Sequence, residues 1–210
     1  MDWMQFPLGS LQTNCYIVKQ EGSCLIIDPG EEGKRIIQLL NKHKLTPKAI
    51  LLTHAHFDHI GAVDIVRDHY NIPVYIHEKE AKWLLDPALN GSQFFMIGHL
   101  VRIKPADIIL YKEETRTIGD FEMQIFETPG HSPGSVSFYF AQERVVFSGD
   151  ALFKGSIGRT DLPGGNHQQL LRSIQENLLT LPEDTIVLSG HGDSTTIREE
   201  IDSNPFLRGF

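Results

Sequence analysis

Cysteine is scarce in this sequence: two residues of 210, Cys15 and Cys24. Two thiols cannot form a disulfide framework, so the chain reads as belonging to a reducing compartment, and it must rely on packing rather than covalent staples. The N-terminus, Met1-Asp2-Trp3-Met4, has no basic stretch leading into an apolar one, which excludes a signal peptide. No apolar run approaches the roughly 20 residues of a membrane span. Basic residues also fall short, 19 against 27 acidic for a net charge of −8, which argues against a surface built to follow nucleic acid phosphates. Linker-like stretches, low-complexity segments and short-period repeats are missing as well. These lacks imply a soluble, cytoplasmic, single domain over residues 1–210 with no membrane and no nucleic acid partner. The hydrophobic share of 40% against 22% charged excludes disordered, collagen-like and coiled-coil chains.

Strands and helices alternate along the chain. Cys15–Val18 and Cys24–Ile27 are β-type runs separated by the turn signal Glu21-Gly22, and Asp28-Pro29-Gly30 breaks the second run. Ile36, Ile37, Leu39 and Leu40 have helical spacing, with Pro47 as the expected far bound. Ala49–Leu52 is a short apolar strand, followed by a turn and an expected helix from Asp58 to Tyr70. Pro73–Ile76 then reads as a strand, Glu78–Leu85 as a helix and residues 86–106 as an irregular loop. Phe121–Phe126 alternates, and Val136–Phe140 with Val145–Phe147 suggests a hairpin. A helix from Gln168 to Leu179 behind an Asn166 cap, a strand Thr185–Leu188 and a short helix over 194–202 complete the chain. The pattern predicts a layered α/β protein with mixed sheets.

Ten histidines are present, and three fall in one window, His54-Ala55-His56-Phe57-Asp58-His59, directly after the strand Ile50–Leu52 and Thr53. Two imidazoles at i and i+2 beyond a strand end can face the same way, and Asp58 and His59 would enter from the next helix. Four such groups in one volume suit a divalent metal. The plainer alternative is a polar helix entrance with solvated histidines. Three further strand ends carry the same signal, Gly130-His131, Gly149-Asp150 and Gly190-His191, each with a glycine that lets the backbone approach closely. In open α/β sheets ligands gather beyond strand ends. Five histidines and two aspartates are enough for two metals.

The segment Thr53–His59, together with His131, Asp150 and His191 at these intervals, resembles the metallo-β-lactamase superfamily. The resemblance implies an αββα sandwich, with mixed sheets and the helices outside, carrying two metals at one edge. It implies that His54, His56 and His131 hold one ion, that Asp58, His59 and His191 hold the other, and that Asp150 bridges them. Zinc is the expected metal, and iron or manganese suit the same ligands. The stretch Ser148–Phe153 with Gly158-Arg159-Thr160-Asp161 is similar to the glyoxalase II (hydroxyacylglutathione hydrolase) group and its short relatives. That likeness implies hydrolysis of small acidic thioesters by a metal-bound hydroxide, with Arg159 gripping a carboxylate of the thiol carrier and Asp58 taking a proton from the bridging water. The C-terminal helical domain of full-length members is expected to be absent, since the chain stops soon after His191. Gly192 and Asp193 stand where that group has an aromatic residue, and both departures leave the thiol carrier open.

Competing readings share the motif: an RNA-processing nuclease, a persulfide dioxygenase with a single iron, a lactonase, or a metal-holding module without catalysis. Other residues have plain roles. His77 ends a strand without a preceding glycine, and His43, His69, His99 and His167 are read as surface or helix-end residues. Cys15 and Cys24 are expected to pack as small hydrophobes, Phe94 and Phe95 to pack, and Lys154 to be solvated.

Overall fold

A computed structural model describes residues 1–95 and 99–208, in two compact units: Met1–Tyr111 with Ile118–Phe121, and Lys112–Thr117 with the chain from Glu122 onward. The first unit is built on a six-stranded sheet in the order β1-β2-β3-β4-β5-β6, made of Asp2–Leu8, Thr13–Gln20, Ser23–Ile27, Thr46–Leu51, Val74–His77 and Ile108–Leu110. The first three strands are antiparallel and the last four, β3 to β6, run parallel. A change from hairpins to crossovers is what the sequence pattern requires, because a parallel neighbour needs a helix-length return. Three helices, α1 (Gly33–His43), α2 (Phe57–Ile60) and α3 (Val63–Tyr70), supply the returns, and a one-turn helix α4 spans Ser92–Phe95. On α1, Ile36 and Leu40, one turn apart, are buried against Cys15, Ile17, Cys24, Ile26 and Ile50. Both cysteines are fully buried free thiols. The expected packing role is therefore seen.

Several boundaries differ from the sequence reading, each for a stated cause. Helix α1 ends not at Pro47 but at Lys44, whose left-handed conformation turns its N–H back to the carbonyls of Leu40 and Asn41. Pro47 lies near the start of β4, where a missing N–H is tolerated. The single helix expected over 58–70 is two, because the backbone of Gly61 abuts the Gly30 carbonyl and Ala62 N–H bonds out to Pro29 O at 3.0 Å. The helix expected over 78–85 is one 3-10 turn, Glu78–Glu80, followed by further i→i+3 turns. Strand β1 escaped the sequence reading altogether, although Met4 and Phe6 alternate onto the core.

The second unit carries a sheet in the order β14-β13-β10-β9-β8-β7, from Thr195–Thr196, Ile186–Ser189, Val145–Gly149, Val136–Phe140, Phe121–Glu127 and Glu114–Ile118. The β9–β10 hairpin is antiparallel as expected, whereas β10 and β13 are parallel. A small hairpin, β11 (Leu152–Phe153) with β12 (Ser156–Ile157), follows β10. Helix α5 (His167–Ser173) runs into one turn of π-helix, Ile174–Leu178, and its Asn166 side chain accepts from Gln169 N at 3.0 Å, the expected cap. Helix α6 spans Ile197–Ser203. Leu170, Ile174 and Leu178, at four-residue spacing, pack on Val146, Val187 and Ile197. Among the described residues no helix is long and apolar enough to cross a membrane.

Candidate metal centre

In the first unit the histidine window leaves β4 after Leu51, and its four metal-type residues are buried. The His54 ring lies 4.8 Å from that of His56 and 4.1 Å from that of His59, and Asp58 Oδ2 is 3.5 Å from His59 Nε2. The expected local convergence is therefore present. Two close approaches make it possible. The backbone of Gly30 passes so near the Asp58 carbonyl that a Cβ at Gly30 would sit 1.7 Å from it. Phe57 N–H bonds to Asn90 O at 3.0 Å, tying the start of α2 to the loop before α4.

A set of supporting residues to which the sequence assigned no site role surrounds these side chains. Asp28, at the end of β3, is buried and accepts three bonds: Thr53 N to Oδ1 at 2.8 Å, and Thr53 Oγ1 and His59 Nδ1 to Oδ2 at 2.5 and 2.9 Å. Thr53 Oγ1 also lies 3.0 Å from His54 Nδ1. Thr13 Oγ1 donates to Asp58 Oδ2 at 2.7 Å, and buried Glu80 accepts from Ala55 N, between the two leading histidines, at 2.5 Å. Trp83 packs its ring 5.6 Å from that of His56. One signal for Asp28 was available, since it is an acid just beyond an apolar strand like Asp150. Its helix-breaking neighbours Pro29 and Gly30 made it read as punctuation.

The hydrogen bonds set the tautomers. The tautomer that matches the Asp28 contact is the one with the His59 proton on Nδ1, because a carboxylate oxygen accepts. The Thr53 hydroxyl proton is committed to Asp28, so its oxygen accepts from His54 Nδ1. Both imidazoles therefore present their lone pair at Nε2, the state a metal ligand needs.

In the second unit each of the three expected residues stands beyond its strand. Gly130, before His131, has φ +132, and a Cβ there would lie 2.3 Å from Leu170 N, so only glycine serves. His131 Nδ1 lies 2.8 Å from the Arg159 carbonyl, which can only accept, and this again leaves the lone pair on Nε2. Asp150 Oδ2 sits between two imidazoles, 3.6 Å from His131 Nε2 and 3.5 Å from His191 Nε2. His131 and Asp150 are buried; the His191 side chain is 32% exposed. The donor set, imidazole Nε2 atoms with interposed carboxylate oxygens, fits a divalent ion of the borderline class.

Arg159 is exposed, and its guanidinium is bidentate to Asp161, with both contacts at 2.8 Å. This pairing holds the Asp161 carboxyl down to about 2 and raises the Arg159 pKa. His77, at the end of β5, is buried and accepts from Lys79 N, while His43, His69, His99 and His167 are exposed, as expected. Phe94 and Phe95 are not packed as expected: both are exposed, and Phe95 stacks on Phe57 at 6.2 Å. Lys154 is solvated.

The model of the metallo-β-lactamase superfamily matches residues 8–191, and the chain belongs to that superfamily. It is 54% identical over 210 residues to the probable metallo-hydrolase YqgX of Bacillus subtilis (strain 168), covering 100% of this chain and 99% of that one. Over 202 residues it is 37% identical to the hydroxyacylglutathione hydrolase GloC of Haemophilus influenzae, covering 96% and 95%. The structure of BLEG-1, described as a B3 metallo-β-lactamase, is 56% identical with a TM-score of 0.97 and coverages of 99% and 100%. TTHA1623, solved in a di-iron-bound form, is 40% identical with a TM-score of 0.87 and coverages of 97% and 100%. The mixed α/β fold with two mixed sheets is thus the fold of this superfamily, and by reaction class the chain is a metallo-hydrolase.

Proposed function

We propose that this chain is a dinuclear metallo-hydrolase acting on small acidic thioesters. The observation that carries the reading is the contact made by three ring Nδ1 atoms, His54 with Thr53 Oγ1, His59 with Asp28 Oδ2 and His131 with the Arg159 carbonyl, an arrangement that in the Nδ1-protonated tautomer leaves Nε2 as the ligand atom. In this reading His54, His56 and His131 would hold one ion, Asp58, His59 and His191 the other, and Asp150, whose Oδ2 lies 3.6 Å from His131 Nε2 and 3.5 Å from His191 Nε2, would serve both. Divalent ions held there would supply Lewis-acid polarisation of a carbonyl and a water made acidic enough to ionise near neutral pH. Zinc is the proposed metal, and the di-iron form of TTHA1623 keeps iron beside it as a test.

The chain's own residues supply the rest. Asp58, whose Oδ2 accepts from Thr13 Oγ1 at 2.7 Å, would take the proton of the attacking water at its carboxylate. Arg159 binds the carboxylate of the thiol carrier, and that group must displace Asp161 from the guanidinium. Such a contact is made in ground and transition states alike, so it serves binding rather than the chemical step. The relative named hydroxyacylglutathione hydrolase supports the thioester class. A cytoplasmic location fits two cysteines held as buried thiols.

A second reading, β-lactam hydrolysis, is favoured by the 56% identity to BLEG-1. One experiment separates the two. Protein purified without chelator is assayed for metal per chain and for hydrolysis of acidic thioesters, neutral thioesters and a chromogenic cephalosporin. Two ions per chain with a preference for acidic thioesters is expected. Faster cephalosporin turnover would establish the second reading. A single iron with oxygen uptake would establish a dioxygenase. Chelation is expected to abolish activity and lower the Tm without unfolding the chain, because the ligands follow core strands and metal stabilises the native state by mass action.

A further inference from the structure

Helix α6 lies beyond every residue assigned above, yet it carries a buried acid. Glu200 is 1% exposed, and its carboxylate accepts four bonds. Gly155 N reaches both oxygens at 3.1 and 2.9 Å, Thr195 Oγ1 reaches Oε1 at 2.7 Å, and Asn204 Nδ2 reaches Oε2 at 2.7 Å. Asn204, itself fully buried, also donates to Ser156 O at 3.0 Å. Two of these donors tie Glu200 to the tip of the β11–β12 hairpin, Gly155 directly, with φ +66, and Asn204 through Ser156 O, while Thr195 Oγ1, also 2.8 Å from Glu199 Oε2, ties it to β14. A buried carboxylate is costly to desolvate unless its lone pairs are filled, and here backbone and side-chain donors fill them.

The hairpin and the two residues that leave it, Gly158 and Arg159, touch all three candidate ligands of their unit. Phe153 packs its ring 6.3 Å from that of His191. Gly158 backs onto Asp150 and His131: a Cβ there would lie 1.9 Å from the Asp150 carbonyl oxygen and 3.1 Å from His131 Cβ. The Arg159 carbonyl sets the His131 tautomer at 2.8 Å. We infer that Glu200 is a positioning residue for the candidate metal centre, anchoring the β11–β12 hairpin that holds His131, Asp150 and His191 in place. It touches neither ligand nor substrate and acts only through the hairpin. The inference rests on the dinuclear reading above for its consequence, not for its geometry.

The test uses the full chain loaded with zinc. Glu200→Gln keeps the volume but replaces an acceptor oxygen with a donor facing other donors; Thr195→Val removes one hydroxyl donor. Two quantities are read: amide exchange of the 152–158 segment, and the rate at which zinc passes to a competing chelator. Both variants should speed exchange in that segment alone and release zinc about tenfold faster than wild type, the scale of outer partners of metal ligands. Faster exchange with wild-type zinc release overturns the coupling, and unchanged exchange overturns the anchor. A lower Tm of the chelated protein with zinc release untouched shows a merely structural residue and also overturns it. If Glu200→Gln fails to fold, Thr195→Val decides by the same two readouts. Wild type that takes up neither zinc nor iron refutes the dinuclear reading instead, and segment exchange still judges the anchor.

Discussion

Asp28→Asn isolates the tautomer argument from the fold. Asparagine tolerates the left-handed conformation at this position, φ +49, and its carbonyl can still accept from Thr53 N. Its amide replaces Oδ2, the oxygen that receives both the Thr53 hydroxyl and His59 Nδ1. A donor now faces two donors. The Thr53 hydroxyl can turn away toward His54 Nδ1, and His59 can move its proton to Nε2. Each rearrangement removes a lone pair from Nε2, the atom proposed as the metal ligand. The stability cost is that of one charge-assisted bond, roughly 1.5–3 kcal/mol. At about 2–4 °C per kcal/mol for a chain of this size, Tm should fall by about 3–12 °C. Metal affinity should fall by about 10–100-fold. Thermal melts of the chelated protein measure the first effect, and competition with a coloured chelator measures the second. A lowered Tm with wild-type metal affinity would refute the tautomer argument and leave Asp28 a structural acid.

Arg159→Ala should raise KM for carboxylate-bearing thioesters about ten- to hundred-fold with kcat little changed and neutral thioesters unaffected, read from steady-state kinetics on matched substrates. Asp161→Asn should do the reverse, lowering KM for acidic thioesters, because it releases the guanidinium from its bidentate partner. Burial pushes the Cys24 thiol up to about 12 and Cys15 higher still. The folded thiols keep protons that unfolded ones lose above pH ~9, so stability should decline as pH rises past 9, by up to about 1.4 kcal/mol per pH unit per thiol, and an aromatic disulfide reagent should label neither cysteine until the chain is denatured. Gly30→Ala and Gly158→Ala each drive a Cβ into a carbonyl oxygen, at 1.7 and 1.9 Å, and should yield insoluble protein or a Tm loss far beyond that of Asp28→Asn in expression and melting assays.

The sequence by itself determined the local chemistry. His54, His56, Asp58 and His59 lie within six residues after an apolar strand, so their neighbourhood follows from chain geometry alone, and the glycine before His131 marks where the Leu170 backbone passes closely. The same holds for alternating strands and for the Asn166 cap, whose partner is only three residues away. Contacts between distant segments were decided by tertiary structure. Asp28 meets His59 across 31 positions, and Glu200 meets Gly155 across 45, and no periodicity encodes either. The break between α2 and α3 has the same origin: the 58–70 pattern is helical in isolation, and only the Gly30 backbone against Gly61 divides it. The candidate ligands are written in residue types and short spacings. The tautomer of each candidate histidine depends on which carbonyl, hydroxyl or carboxylate the fold brings to its far nitrogen, and that is a property of packing.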